Sequence, residues 1–257
     1  MEGDAPAALP FERGPLPVPH GFSPRVGGVS RGPWRELNLG ASVGDDPAAV
    51  LENRRRVAAS FGVGLDRVAR LDQVHGAVVH EAGADVVGRD GDGWISDDPG
   101  WLLAVSAADC LPLLMVDRRL GAVAAVHAGW RGAAAGIARV AVSALGRRYG
   151  SDPADLQVWF GPSIRGACYQ VGPEVVAAVT RDPSVPADVA WPDPEVEGRW
   201  RVDVPAAVRA QLEAAGVAPD AISVSATCTH CAADRCFSHR RDRGRTGRHW
   251  ALIRAAG

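Results

Sequence analysis

The chain has 257 residues, enough for one large domain or two small ones around a buried core. Its net charge of −2 creates no general attraction to nucleic acid, and no stretch approaches the roughly 18 apolar residues of a membrane span. All 28 basic residues are arginine, which excludes lysine Schiff-base and lysine general-base chemistry. The sequence shows no basic region followed by an apolar one of the secretory kind, so it reads as cytoplasmic. Five cysteines make an odd number without the spacing of a disulfide framework, which points to reduced, buried, catalytic or metal-binding thiols.

Residues 1–19, rich in Pro, Gly and Ala, read as a flexible leader whose end pairs as an edge strand; residues 20–257 read as a single catalytic domain. Gly27-Gly28, Gly32-Pro33 and Gly40 predict turns with short strands over 21–44. Asp45-Asp46-Pro47 predicts a helix start, and Val50, Leu51, Val57 and Phe61 share one face of the helix that follows. Strands are expected over 68–74 and 77–81, around a Val74-His75-Gly76 corner, and 88–93 reads as a loop of Gly and Asp. Further strands are expected over 102–106, 113–116 and 122–127. Gly129 to Gly132 reads as a tight turn that opens one long helix over 133–149. A strand over 156–160 breaks at Gly161-Pro162, a short helix spans 173–180, and the Pro-rich 181–197 reads as a surface excursion. A strand over 201–204, a helix over 205–215, a strand over 222–225, an irregular polar stretch over 227–247 and a closing strand over 250–253 complete the chain. This alternation predicts one α+β domain with mixed strands packed under helices.

Three distant motifs carry residues that a soft metal accepts: Gln73-Val74-His75, Ala108-Asp109-Cys110 and His127-Ala128-Gly129-Trp130-Arg131-Gly132. Each lies at a strand-to-turn junction, where functional groups collect in α/β folds. Two imidazoles and one thiolate suit zinc or copper, and three protein ligands leave a coordination position open for chemistry. The start of the helix after Gly129 offers free backbone N–H groups, which with Arg131 read either as an anion pocket or as a Gly-rich strand-helix turn with an exposed Arg. Cys228-x2-Cys231-x4-Cys236-x2-His239 has two readings, a small structural zinc site or a polar loop that carries thiols. The run Arg240-Arg241-Asp242-Arg243-Gly244-Arg245 reads equally as a solvated face and as a basic rim over an anionic substrate.

Gly27-Gly28-Val29-Ser30, Leu37-Asn38-Leu39-Gly40, Gly44-Asp45-Asp46, Glu52-Asn53-Arg54, Gln73-Val74-His75, Ala108-Asp109-Cys110-Leu111-Pro112, His127-Ala128-Gly129-Trp130-Arg131-Gly132, Gly161-Pro162, Phe237-Ser238-His239-Arg240-Arg241-Asp242 and Thr246-Gly247-Arg248 follow one another in this order. The chain thereby resembles the YfiH-like family of multicopper polyphenol oxidase (laccase-domain) proteins, whose members are also described as purine nucleoside phosphorylases and peptidoglycan editing factors. The resemblance implies mixed β-sheets sandwiched between helices in four α-β-β-α layers. It implies a zinc site at His75, Cys110 and His127, with copper as the alternative metal. It implies phosphorolysis of adenosine, inosine, guanosine and methylthioadenosine, and deamination of adenosine. Small nucleosides and phosphate would then be the partners, with neither nucleic acid nor membrane. Arg54, in the Asn-Arg motif, would contact phosphate together with Arg131, and Asn38 and Gln73 join them as substrate-binding candidates. Asp109 is the candidate for protonating the departing purine, provided that the strand has turned by that point. Two positions depart from the family pattern: Cys236 stands where an aromatic residue is usual, which weakens the structural-zinc reading, and His249 stands where Met is common.

Other chemistries compete. Cys110 as thiolate nucleophile with His127 as base would hydrolyse an amide, which suits editing of a peptidoglycan precursor. Copper oxidation of phenols ranks lower, because one cluster of two histidines and a cysteine falls short of the several copper centres such oxidation requires. A non-catalytic nucleoside-binding protein is the remaining reading.

Overall fold

The computed structural model describes residues 8–83 and 87–257. In chain order the strands are β1 (His20–Phe22), β2 (Val68–Asp72), β3 (Val79–Glu81), β4 (Val87–Asp90), β5 (Gly93–Ser96), β6 (Leu102–Ala107), β7 (Leu111–Asp117), β8 (Val123–Ala128), β9 (Leu156–Phe160), β10 (Gln170–Val171), β11 (Ala190–Pro192), β12 (Trp200–Val202), β13 (Ile222–Val224) and β14 (His249–Ile253). The helices are α1 (Pro47–Ser60), α2 (Trp130–Ala134), α3 (Ile137–Tyr149), α4 (Pro173–Val179) and α5 (Val204–Ala214). No described helix is long and apolar enough to cross a membrane.

Two mixed sheets stack face to face. One has the order β1-β14-β6-β2-β4 and the other β13-β9-β7-β8-β5-β3; β10, β12 and β11 form a small third sheet. The layering follows from side-chain alternation along the strands. Leu111, Leu113 and Met115 of β7 face α3 and α5, while Leu114 and Val116 point to the opposite sheet. Leu103 and Val105 of β6 meet them there, and Leu102 and Ala104 point outward to Val57, Ala58 and Phe61 of the α1 segment. Three apolar layers therefore separate four layers of structure, α-β-β-α, and a strand buried on both faces is apolar throughout. The expected fold class holds.

Local chemistry explains the helix boundaries. Asp46 caps α1 by accepting from the Ala48 N–H at 2.9 Å, and Pro47 occupies the first turn. Asp203 caps α5 by accepting from the Ala206 N–H at 2.9 Å. On α1, Asn53 is fully buried and ties the turn-rich segment down: its amide donates to Ser30, Glu36 and Asn38 and accepts from the Val29 N–H. That clamp fixes the neighbouring Arg54.

Four expectations are corrected. From residue 8 onward the supposed leader is packed: Leu16 is buried between the sheets, and Glu12 bridges Phe22 while accepting from Thr227; the leader's residues 1–7 lie outside the described part. The loop expected over 88–93 contains β4 and borders β5, because pairing of β4 with β2, and of β5 with β8 and β3, overrides the weak strand propensity of Gly and Asp. The helix after Gly129 starts at Trp130, and Gly136, at φ 73°, ends its first piece and caps α3, so one long helix becomes two. The excursion over 181–197 includes β11 and buries Val185 and Val189 in the helix-side core.

Candidate active site

The chain crosses from one sheet to the other between β6 and β7, and Cys110 lies at that crossing. His75 follows β2 of the first sheet, and His127 lies near the end of β8 in the second. The three meet at one end of the sheet stack, with their donor atoms all within 4.8 Å of one another. The imidazole rings stand edge to face with centroids 4.9 Å apart. His127 is buried, Cys110 half-buried and His75 exposed, so the cluster opens to solvent on one side.

Asp92, which sequence reasoning passed over inside a Gly-Asp loop, organises this cluster. Its carboxylate is fully buried; it accepts from His127 Nδ1 at 2.8 Å, from the His75 backbone N–H at 3.0 Å and from the Gly76 N–H at 2.6 Å. A carboxylate that only accepts puts the proton of His127 on Nδ1 and leaves Nε2 facing Cys110. The same bonds hold His75 at φ 60°, a conformation that non-glycine residues adopt rarely. Burial would raise the Asp92 carboxyl, but His127 and the two amides hold it below its usual range.

The sulfur and the rings polarise one another. Burial alone would raise the Cys110 thiol, yet the charge and hydrogen bonds of His127 and His75 bring it down to about 6. Burial would lower His127, and Cys110 with Asp92 pushes it up to about 9. Two imidazoles, one thiolate and a carboxylate behind one ring make a donor set that fits zinc. Gly129 preserves the space: a Cβ there would lie 2.9 Å from His75 Cδ2 and 3.2 Å from Cys110 Sγ. Gly132 likewise lies against the corner, since its Cβ would meet the Gly76 carbonyl at 3.0 Å.

Above the cluster lies a cavity of about 860 Å³, lined by Arg54, Gln73, Asp109, Trp130, Arg131, Tyr169, His239, Arg240 and Arg248 as well as the three donors. That volume lies within the roughly 300–1,000 Å³ of small-molecule sites. Arg54 reaches it from α1; its Nε donates to Leu39 O at 2.9 Å and its guanidinium lies 5.3 Å from the Trp250 ring centroid. Burial, reinforced by the nearby charge of Arg70, lowers Arg54 to about 10. Among the described residues neither Arg54 nor Arg70 has a carboxylate partner. Arg248, in the Thr246-Gly247-Arg248 motif, adds a third cation whose value burial also lowers.

The remaining predicted residues divide. Arg131 lines the rim, exposed, with its guanidinium over the Trp130 ring at 4.4 Å. Because α2 is only five residues long, its amide dipoles sum weakly, and the arginines supply the positive field in place of a long helix start. Gln73 lines the cavity, but its amide forms a double hydrogen bond with the Ser106 backbone and prolongs the sheet. Asn38 lies away from the lining, fully buried; its amide donates to Asp45 and Gly40 and accepts from the Gly40 and Arg248 N–H groups. Through the Arg248 N–H it holds the backbone of that arginine in place. At Asp109 the strand has turned, with φ 99°, but both carboxylate oxygens accept, one from Thr229 Oγ1 and one from the Arg240 N–H, each at 2.6 Å. As a double acceptor, Asp109 ties the Thr229 and Arg240 segments to the β6–β7 crossing. The arginine run is neither of its two readings throughout: Arg240 lines the cavity, Arg241 clasps the carbonyls of Thr229, His230 and Cys236, and Arg243 and Arg245 face solvent.

Residues 19–256 match the family model described as multi-copper polyphenol oxidoreductase laccase. The chain belongs to that family. This laccase-family chain is 44% identical over 246 residues to a protein of Deinococcus radiodurans named purine nucleoside phosphorylase, covering 95% of this chain and 92% of the relative. It superposes on the crystal structure of YlmD from Geobacillus stearothermophilus with a TM-score of 0.88 at 36% identity, covering 97% of this chain and all of the other. The hypothetical protein YfiH of Bacillus licheniformis gives a TM-score of 0.88 at 34% identity over 93% of each chain. The two departures from the family pattern are packing residues in this laccase-family member. Cys236 is buried between the sheets, and His249 is fully buried between Phe22 and Phe237.

Proposed function

We propose that the chain is a metal-dependent purine nucleoside phosphorylase, acting on adenosine, inosine, guanosine and methylthioadenosine, that also deaminates adenosine. The observation that carries this reading is the convergence of His75, Cys110 and His127 at the base of an arginine-lined cavity of nucleoside size. Relatives named purine nucleoside phosphorylase support the reaction class. His75, Cys110 and His127 would hold zinc, with copper as the alternative metal. When bound, zinc supplies Lewis acidity to the reacting end of the cavity.

The chain's own residues supply the rest. Arg54 and Arg248, assisted by Arg131 at the rim, neutralise phosphate and aim one of its oxygens at the ribose C1′. The new C–O bond forms as the bond from C1′ to the purine nitrogen breaks, and the purine leaves with the electron pair. The base then needs a hydrogen-bond donor. Tyr169 lines the cavity beside Arg240, and a phenol is protonated at neutral pH, so its hydroxyl can donate in the role first expected of Asp109. Incubation of the protein with inosine and phosphate is expected to yield hypoxanthine and ribose 1-phosphate by chromatography; adenosine without phosphate is expected to yield inosine. Binding without products would mark a non-catalytic nucleoside-binding protein. Full turnover by a metal-free Cys110→Ala variant would sink the reading.

A second reading rests on the Cys110–His127–Asp92 chain of contacts, which has the order nucleophile, base and orienting carboxylate of a cysteine amidase. Acting on a peptidoglycan precursor, such an amidase would lose activity on stoichiometric alkylation by iodoacetamide. A metal-bound Cys110 is instead protected until chelator is added. Copper oxidation of phenols stays below both, because the described cavity brings together one three-donor cluster.

A further inference from the structure

The Cys-x2-Cys-x4-Cys-x2-His array is taken apart by the fold. Cys236 is turned into the core between the sheets, and His239 lines the catalytic cavity. In their place a thiol from far away arrives. Cys168, at the end of the turn Gly166–Cys168, lies with its sulfur 3.4 Å from that of Cys231. The donor atoms of Cys168, Cys231 and His230 all lie within 4.8 Å of one another, and Cys228 lies three residues before Cys231 on the same loop. We propose that Cys168, Cys228, Cys231 and His230 form a second, structural metal site that takes a zinc ion.

Three features of the site suit a cation. Two thiolates on one zinc at about 2.3 Å stand about 3.8 Å apart, close to the present sulfur separation. The Ala232 N–H donates to Cys228 O at 3.0 Å, so Cys228-Thr229-His230-Cys231 closes into one tight turn that carries two thiols and an imidazole together. The cluster is partly exposed, so a metal has an entry path without unfolding the chain.

The site also has a location that gives it work. Thr229 N donates to Ser163 O at 3.1 Å, so the two thiol-bearing loops already touch, and Ser163, Ile164 and Tyr169 line the cavity. From the other loop, Thr229 Oγ1 and the Arg240 N–H hold Asp109. A cation bridging Cys168 to Cys228 and Cys231 would fasten both loops together as one wall of the active site.

The test is a zinc titration of the reduced, metal-stripped full chain, followed by gel filtration and metal analysis. Wild type is expected to retain two zinc ions per chain, Cys110→Ala one, Cys231→Ser one, and the double variant none. Cys168→Ser is expected to match Cys231→Ser, and His75→Ala replaces Cys110→Ala should that variant fail to fold by circular dichroism. Cobalt(II) bound to Cys110→Ala is expected to show the sulfur charge-transfer absorption of a multi-thiolate tetrahedral site. Zinc contents that stay the same in Cys168→Ser and Cys231→Ser would overturn the proposal. So would a wild type that binds one ion and a Cys110→Ala variant that binds none. A disulfide among Cys168, Cys228 and Cys231 in the reduced preparation would also overturn it.

Discussion

The two thiol clusters of this molecule are built on opposite principles. At the base of the cavity one sulfur lies between two imidazoles, with a buried carboxylate behind one of them, and the Cys110 thiol is pulled down to about 6. Near the surface, several sulfurs lie together; burial and the adjoining thiols push Cys168 up to about 12. The first arrangement favours an anionic sulfur with an open side, which suits the proposed catalytic metal site. The second gathers donors from two loops at a partly exposed place, the arrangement the proposed structural site calls for. Both come from the same residue types, so the difference lies in what surrounds the sulfur and how many loops it joins.

That contrast can be broken most directly at Cys110. Cys110→Ala is expected to reduce inosine phosphorolysis to background and to remove the cavity metal while leaving the fold intact, whereas Cys231→Ser is expected to lower the thermal midpoint and change kcat/KM far less. A Cys231→Ser enzyme as dead as Cys110→Ala would erase the distinction. Next in size is the orienting carboxylate. Asp92→Asn keeps the shape but loses the charge beside His127, and zinc affinity of the cavity site is expected to weaken about 10–100-fold by chelator competition, with the thiol-rich site unaffected. Arg54→Met removes a cation without a carboxylate partner among the described residues. Loss of one charge-assisted hydrogen bond, about 1.5–3 kcal/mol, is expected to raise KM for phosphate about tenfold to a hundredfold, with kcat reduced less.

A third environment sharpens the comparison through pH. His249 is fully buried and lowered to about 3 by burial; its Nε2 accepts from the Phe237 N–H at 2.7 Å and Nδ1 lies 2.9 Å from Ser23 O. The folded state thus keeps this ring neutral, while the unfolded chain takes a proton near pH 6.5. Between those values the unfolded state binds more protons, so stability is complete above about pH 6.5 and declines as pH falls toward about 3, by up to about 1.4 kcal/mol per pH unit. Urea unfolding midpoints across pH 7.5 to 4.5 are expected to slope less in His249→Gln than in wild type; equal slopes would remove the assignment.

How much of this was legible in the sequence depends on the range over which each signal acts. The α1 start could be read because Asp46 and Pro47 act on the next few amides. Strands β6 to β9 could be read because their apolar residues are local and continuous. Asp92 could not be read, since nothing nearby distinguishes it from Asp90; it matters because β5 pairs with β8 and carries it to the His127 ring. The same holds for Asn38 and Asp109, which accept from the Arg248 N–H and from Thr229 Oγ1 and the Arg240 N–H, all more than a hundred residues away.

The sequence by itself determined an α+β domain with strands packed under helices, and the two imidazoles and one thiol at His75, Cys110 and His127. Those properties belong to periodicity and to the chemistry of single side chains. Only the tertiary structure decided which donors share a centre. It separated Cys236 and His239 from Cys228 and Cys231, brought in Cys168, and set Asp92 behind His127. A ligand set is a matter of a few ångströms between atoms from distant strands, and that distance is fixed by how two sheets and their loops pack.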